Sequence, residues 1–192
     1  MTAAMKIIKI DNSPIVVGYH GTRSTLATTI LADGFKPSTN EYDWLGDGVY
    51  FFQEAPNRAR EWAMDCYAEE SAVIGAEIEL LDCLDLIDTG WSELLADVYD
   101  SYLEKLKSEG IPLPRQSTGA HRLDRAVLNY AVSVLIANGI AIRSIRASFI
   151  EGSPIFPNSA LFGKAHVQIV VRDTTTIRKT WIENNFVEVI YD

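Results

Sequence analysis

Two stretches carry most of the information: Tyr19-His20-Gly21-Thr22, and Trp44-Leu45-Gly46-Asp47-Gly48-Val49-Tyr50-Phe51-Phe52. Pro14 to Tyr19 is a short apolar run through Ile15, Val16 and Val17. It predicts a buried strand ending at His20. A histidine at a strand end, followed at once by glycine, exposes an imidazole beside accessible main-chain N–H and C=O groups. Gly21 lets a flat molecule approach the backbone closely. Taken alone, such a histidine more often has a structural or incidental role. In the second stretch two glycines permit a tight turn into a strand. Tyr50 and Phe52 then point one way, and Val49 and Phe51 the other. A site-facing aromatic ring there can stack on a planar heterocycle, or can serve as ordinary core.

Working outward, Thr25 to Ala32 has helical spacing and Gly34 closes it. Lys36 to Asp47 is polar and turn-rich. Pro56 opens a second helix through Trp62 and Tyr67. Ser71 to Leu86 predicts one or two strands. Trp91 to Lys107 and Leu123 to Ala137 predict helices, the latter stopped by Asn138-Gly139. Gly110 to Gly119 is a loop holding Pro112 and Pro114. Ile140 to Ile150 and Ala165 to Val171 predict strands around a loop from Gly152 to Lys164. Phe186 to Tyr191 alternates like a final edge strand. Helices and strands mix without strict βαβ alternation, so the fold class is α+β. With no repeat and no linker, the expectation is a single domain over 1–192.

Composition narrows the function classes. The 192 residues carry 17 Lys+Arg against 26 Asp+Glu, a formal charge of −9. A protein that grips nucleic acid through phosphates usually shows a basic face, so any such patch here must be local. Cys66 and Cys83 have no CxxC spacing, and His20, His121 and His166 are scattered. The expectation is no metal and reduced, partly buried cysteines. The N-terminal stretch lacks a signal-peptide core, and the Ala131–Ile142 run is too short to span a bilayer. The expected setting is cytoplasmic, or that of a delivered effector, with no membrane partner. Gly46-Asp47-Gly48 lacks the third glycine of a dinucleotide fingerprint, Gly163-Lys164-Ala165 is not a P-loop, and there is no G-x-S-x-G.

Tyr19-His20-Gly21-Thr22, Ile30-Leu31-Ala32-Asp33-Gly34-Phe35, Gly46-Asp47-Gly48-Val49-Tyr50-Phe51 and Ala59 to Trp62, in that order and spacing, resemble the NAD-binding half of the diphtheria-toxin-like, PARP-type ADP-ribosyltransferases. Ala165 to Asp173 resembles, more loosely, the strand carrying that family's third signature residue. The resemblance implies a split pair of small β-sheets with NAD⁺ in the cleft between them, and a helical insertion at about 82–139 with no counterpart in the minimal fold. It implies that His20 bonds the adenosine-side ribose and that Gly21, with Thr22 beside it, binds the nicotinamide carboxamide through its backbone. Tyr50 would stack on the nicotinamide ring and Trp62 would cover its other face. The small hydroxyl residue usual near Arg58-Ala59 is missing.

The third position departs from the polymer-forming members, which place a glutamate there; the alignment puts Gln168 in its stead. Glutamine bonds a hydroxyl but supplies no full negative charge for an oxocarbenium-like transition state. Glu151, at the end of the preceding strand, is a rival carboxylate. His166, two residues before Gln168, is expected on the same strand face.

The resemblance implies a mono-ADP-ribosyltransferase, an enzyme that uses NAD as co-substrate and passes ADP-ribose to a macromolecular acceptor. The acidic balance favours protein slightly over nucleic acid as acceptor, and a toxin or defence effector fits the size. The alternatives are an NAD glycohydrolase and a non-catalytic NAD- or ADP-ribose-binding module. The related RNA 2′-phosphotransferases share a His-Gly-Thr start but expect a basic RNA-gripping surface.

Overall fold

Alternation along the short strand Val49–Gln53 sets the layering. Val49 and Phe51 pack on one face with Ala76, Ile78, Leu80, Ile169 and Val171. On the other face, Tyr50 packs against the cluster of Leu45, Leu84, Leu128, Val132, Leu135, Ile145 and Val170. The computed structural model describes residues 14–117 and 120–187. Among these residues the strands are β1 Ile15–Arg23, β2 Val49–Gln53, β3 Ser71–Glu79, β4 Cys83–Asp85, β5 Ser144–Phe149, β6 His166–Val171 and β7 Ile177–Ile182. The α-helices are α1 Ser24–Asp33, α2 Pro56–Tyr67, α3 Ser92–Glu109 and α4 Arg122–Ala137. The architecture is mixed α+β. One seven-stranded sheet runs β4-β5-β6-β2-β1-β3-β7, antiparallel throughout except for the parallel β4–β5 pair.

The seam in the middle of this sheet matters most. β1 pairs with β3 along nine residues, from Ile15↔Glu79 to Arg23↔Ser71. With β2 it pairs only at Gly18↔Gln53 and Tyr19↔Phe52. Two separate sheets were expected. Instead the hydrogen-bonded order is continuous, and the two halves meet across this narrow seam. His20 was expected at a strand end but lies inside β1, because pairing with β3 carries the strand on to Arg23.

Chain punctuation follows local chemistry. Gly34 closes α1 at φ 84°, its N–H donating to the Ile30 carbonyl. Pro56 opens α2, where its missing N–H costs nothing. The expected strand at Ile140–Ile150 begins only at Ser144. The strand expected at Phe186–Tyr191 is absent at Phe186 and Val187, and 188–191 lie outside the described residues. The edge strand is instead β7, laid along β3, with the Trp181 indole resting on Gly75 so closely that a Cβ there would stand 2.3 Å from the ring.

The 82–139 segment contributes to both the sheet and its cover. β4 joins the sheet edge, and α4 covers one sheet face with Leu128, Val132 and Leu135. α4 also grips the turn before β2. Asn129 Oδ1 accepts from the Asp47 N–H at 3.2 Å and from Arg172 Nη1 at 2.9 Å, while its amide nitrogen donates to Asp47 Oδ1. Arg125 donates to the same carboxylate at 2.6 Å. Truncating Asn129 strands several of these partly buried groups. Asn129→Ala is therefore expected to cost about 1–3 kcal/mol, read as a lower denaturant midpoint at unchanged slope.

Candidate active site

An uninterrupted antiparallel ladder would pair Gly21 with Tyr50, continuing the register of Tyr19↔Phe52. The Glu54 N–H donates to the Val17 carbonyl, so the main-chain groups of Val17, and by alternation those of Tyr19 and Gly21, turn toward β2. At Tyr50 the pairing is replaced. His20 Nδ1 lies 2.9 Å from the Tyr50 carbonyl oxygen. A side chain thus takes the carbonyl that Gly21 would have bonded, and beyond it the two strands diverge.

The gap opens into a cavity of about 470 Å³ lined by His20, Gly21, Thr22, Tyr50, Trp62 and Gln168, with Leu26, Thr29 and Ile30 of α1, the 34–44 loop and Tyr67 also in its wall. That volume falls among pockets of roughly 300–1,000 Å³ that hold small molecules and cofactors. Six of the seven residues proposed from sequence therefore share one cavity, although they come from β1, β2, α2 and β6. The seventh, Glu151, does not line it. Its carboxylate is ion-paired with Arg58 at 2.6 Å, and Arg58 also bonds Glu61.

Each wall has a definite chemical character. A carbonyl only accepts, so His20 Nδ1 carries the ring proton and Nε2 is left as an acceptor. Burial holds the His20 pKa below its ordinary value, although the Tyr50 carbonyl opposes the shift. The ring is thus neutral at pH 7. Tyr50 is tethered at its far end: its hydroxyl accepts from the Leu45 N–H at 2.8 Å and donates to the Gly46 carbonyl at 2.8 Å. Burial, with the Asp43 carboxylate nearby, pushes this phenol far above its usual pKa. The ring is a fixed neutral plate.

Gly21 serves packing as well as access. A Cβ on it would stand 2.7 Å from the Ala59 carbonyl oxygen and 2.9 Å from the Trp62 ring. Only glycine lets α2 lie against β1 here, which brings Trp62 to the cavity. Gln168 Oε1 accepts from the Trp44 indole N–H at 2.6 Å. An indole N–H only donates, so the amide NH₂ of Gln168 is the end left for other partners.

His166 shares the Gln168 face of β6 but belongs elsewhere. It donates from Nδ1 to the Lys164 carbonyl at 2.6 Å and packs against Phe52 and Phe149. It borders a second, more open pocket with Arg58, Glu61 and Lys164. Of the expected cysteines, Cys66 is exposed and Cys83 half-buried, and both are free. Among the described residues no cluster of three or more His, Cys, Asp or Glu could hold a metal ion, and no helix is long and apolar enough to cross a membrane.

Sequence reasoning did not single out Asp43, Trp44, Lys36 or Tyr67, all of which line the cavity. Asp43, Trp44 and Lys36 lie in or beside an irregular loop where periodicity gives no signal. No protein-family model and no curated protein sequence matches the chain.

The His20 assignment is measurable. Imidazole ¹⁵N shifts at pH 7 are expected to show a neutral ring protonated on Nδ1. Its titration midpoint should lie below the usual value of about 6.5. Because the folded form resists protonation, folding stability should fall as pH drops through about 6.5 toward the depressed folded midpoint. A midpoint at or above 6.5 contradicts the buried arrangement.

Proposed function

We propose that this protein is a mono-ADP-ribosyltransferase that uses NAD⁺ as co-substrate and passes a single ADP-ribose to a macromolecular acceptor. The observation that carries the reading is the grouping in one cavity of a ring plate fixed by two hydrogen bonds, a neutral imidazole and a strand edge at Gly21 turned toward the gap. That grouping suits a planar carboxamide-bearing heterocycle joined to a ribose. Tyr50 would stack the ring. The Gly21 N–H and C=O would hold a primary carboxamide, which offers one acceptor and two donors. His20 Nε2 would accept from a ribose hydroxyl. Trp62 and Tyr67 would add apolar wall, and Lys36, the one ammonium among the described lining residues, would face a diphosphate.

NAD⁺ supplies a leaving group that is already cationic. The protein's task is to orient the glycosidic bond, exclude water and keep the far face open to an acceptor. The absence of a carboxylate at Gln168 supports transfer of one unit rather than chain elongation. The net charge of −9 favours a protein acceptor slightly over nucleic acid.

Labelled NAD⁺ incubated with the protein and cell extract tests the reading. Wild type is expected to bind NAD⁺, release nicotinamide and label a macromolecule. Tyr50→Ala removes a stacking contact worth about 1–3 kcal/mol, so NAD⁺ affinity should fall roughly 5- to 150-fold. Free ADP-ribose without labelled macromolecule would make water the acceptor, and binding without nicotinamide release would make the protein a recognition module. Absence of NAD⁺ binding overturns the reading.

A further inference from the structure

Asp43 is the one carboxylate among the described residues lining the cavity, and it is almost fully buried, with 6% of its surface exposed. Both of its hydrogen bonds go to a single oxygen. Oδ2 accepts from the Ser38 hydroxyl and from the Asn40 N–H, each at 2.7 Å. These bonds fix the group and leave Oδ1 without a hydrogen-bond partner among the described residues. The loop that carries it is pinned independently, since Ser38 and Gly48 exchange two backbone hydrogen bonds at 2.8 and 3.0 Å. Trp44, the next residue, occupies the Gln168 carbonyl oxygen. The strand position where the resemblance would put an acid therefore presents amide donors, while a buried acid held by two hydrogen bonds lines the same cavity from the adjoining loop.

Resting on the reading of the cavity as an NAD⁺ site, we infer that Asp43 is a catalytic residue whose carboxylate supplies the negative charge that Gln168 cannot. In the reaction, the bond between the ribose anomeric carbon and the pyridinium nitrogen breaks. Both electrons go to nitrogen, nicotinamide leaves neutral, and positive charge develops on the ribose. A lone pair of the acceptor then forms the new bond to that carbon, and the acceptor's proton passes to water. A carboxylate fixed in a low-dielectric wall stabilises the developing cation without reorganising. Arg125 from α4 and Asp47 beside it are the charged groups that act most directly on Asp43; the guanidinium is already held by Asp47 and the Thr39 carbonyl. Burial raises the Asp43 pKa, while the bonds from Ser38 and Asn40 and the Arg125 guanidinium act the other way and favour the carboxylate.

Nicotinamide release by wild type, Asp43→Asn, Gln168→Glu and the double variant separates charge from architecture. Asparagine keeps an acceptor for Ser38 and Asn40 but removes the charge. Asp43→Asn is expected to lose about 100-fold or more in kcat, with KM for NAD⁺ within about threefold. In the double variant the carboxylate introduced by Gln168→Glu can still accept from Trp44, and at least about tenfold of the loss is expected to return. Turn bracing alone would not be rescued in this way. Asp43→Asn with kcat within about twofold of wild type overturns the inference while leaving the NAD⁺ reading intact. Should Asp43→Asn not fold, Gln168→Glu carries the test. It raises kcat by no more than about threefold if Asp43 already supplies the charge, and a gain of about 100-fold overturns the inference. A wild type that binds no NAD⁺ fails at the earlier step and takes both readings with it.

Discussion

The hydrogen bond between His20 Nδ1 and the Tyr50 carbonyl is the contact on which the rest of the site depends. It replaces one rung of a β-ladder with a side chain. A main-chain rung would draw β1 and β2 together and fill the gap with backbone. The imidazole satisfies the same carbonyl, so no buried acceptor is orphaned, and the strands separate just where Gly21 turns its polar groups toward β2. The sheet therefore stays continuous through Gly18↔Gln53 and Tyr19↔Phe52 and opens immediately beyond. The same bond fixes the imidazole tautomer. The bond sets strand spacing and tautomer, while burial, acting against it, keeps the ring neutral.

A second layer keeps the opened edge rigid. Tyr50 is held through its hydroxyl by Leu45 and Gly46, and that turn is held by Asn129, Arg125 and Arg172 through Asp47. Gly46 sits at φ 89°, where a side chain is strained, and a Cβ there would press on Asn129 at 2.6 Å. α4 thus reaches the cavity through the turn at 45–48: its apolar face covers the sheet, and Asn129 and Arg125 hold Asp47.

Much of this could be read from the residues. Gly34, Pro56 and Asn138-Gly139 end or begin helices through local backbone chemistry, and the structure keeps those boundaries within a few residues. The alternation of Val49 to Phe52 placed Tyr50 and Phe52 on one face, as found. The seam was not readable, because it depends on a bond between positions 30 apart in which a side chain replaces a backbone donor. β7 was missed because Arg178 and Lys179 give it the polar look of a loop, as suits an edge strand kept from pairing with other chains. Glu151 looked free in sequence, yet Arg58, from a helix far upstream, holds it. Asp43 sat in a turn-rich stretch where nothing in the spacing marks one acid from its neighbours.

The account stands or falls on whether the Gly21 main chain faces a ligand across the opened seam. The most direct measurement is the ¹H–¹⁵N spectrum of the protein titrated with NAD⁺ at a pH where His20 is neutral. The Gly21 amide is expected to shift strongly and saturably, while the Gly75 amide, on the far side of β1 in the intact β1–β3 ladder, holds its position. Saturable binding that leaves the Gly21 amide unmoved would place the ligand elsewhere and contradict the account.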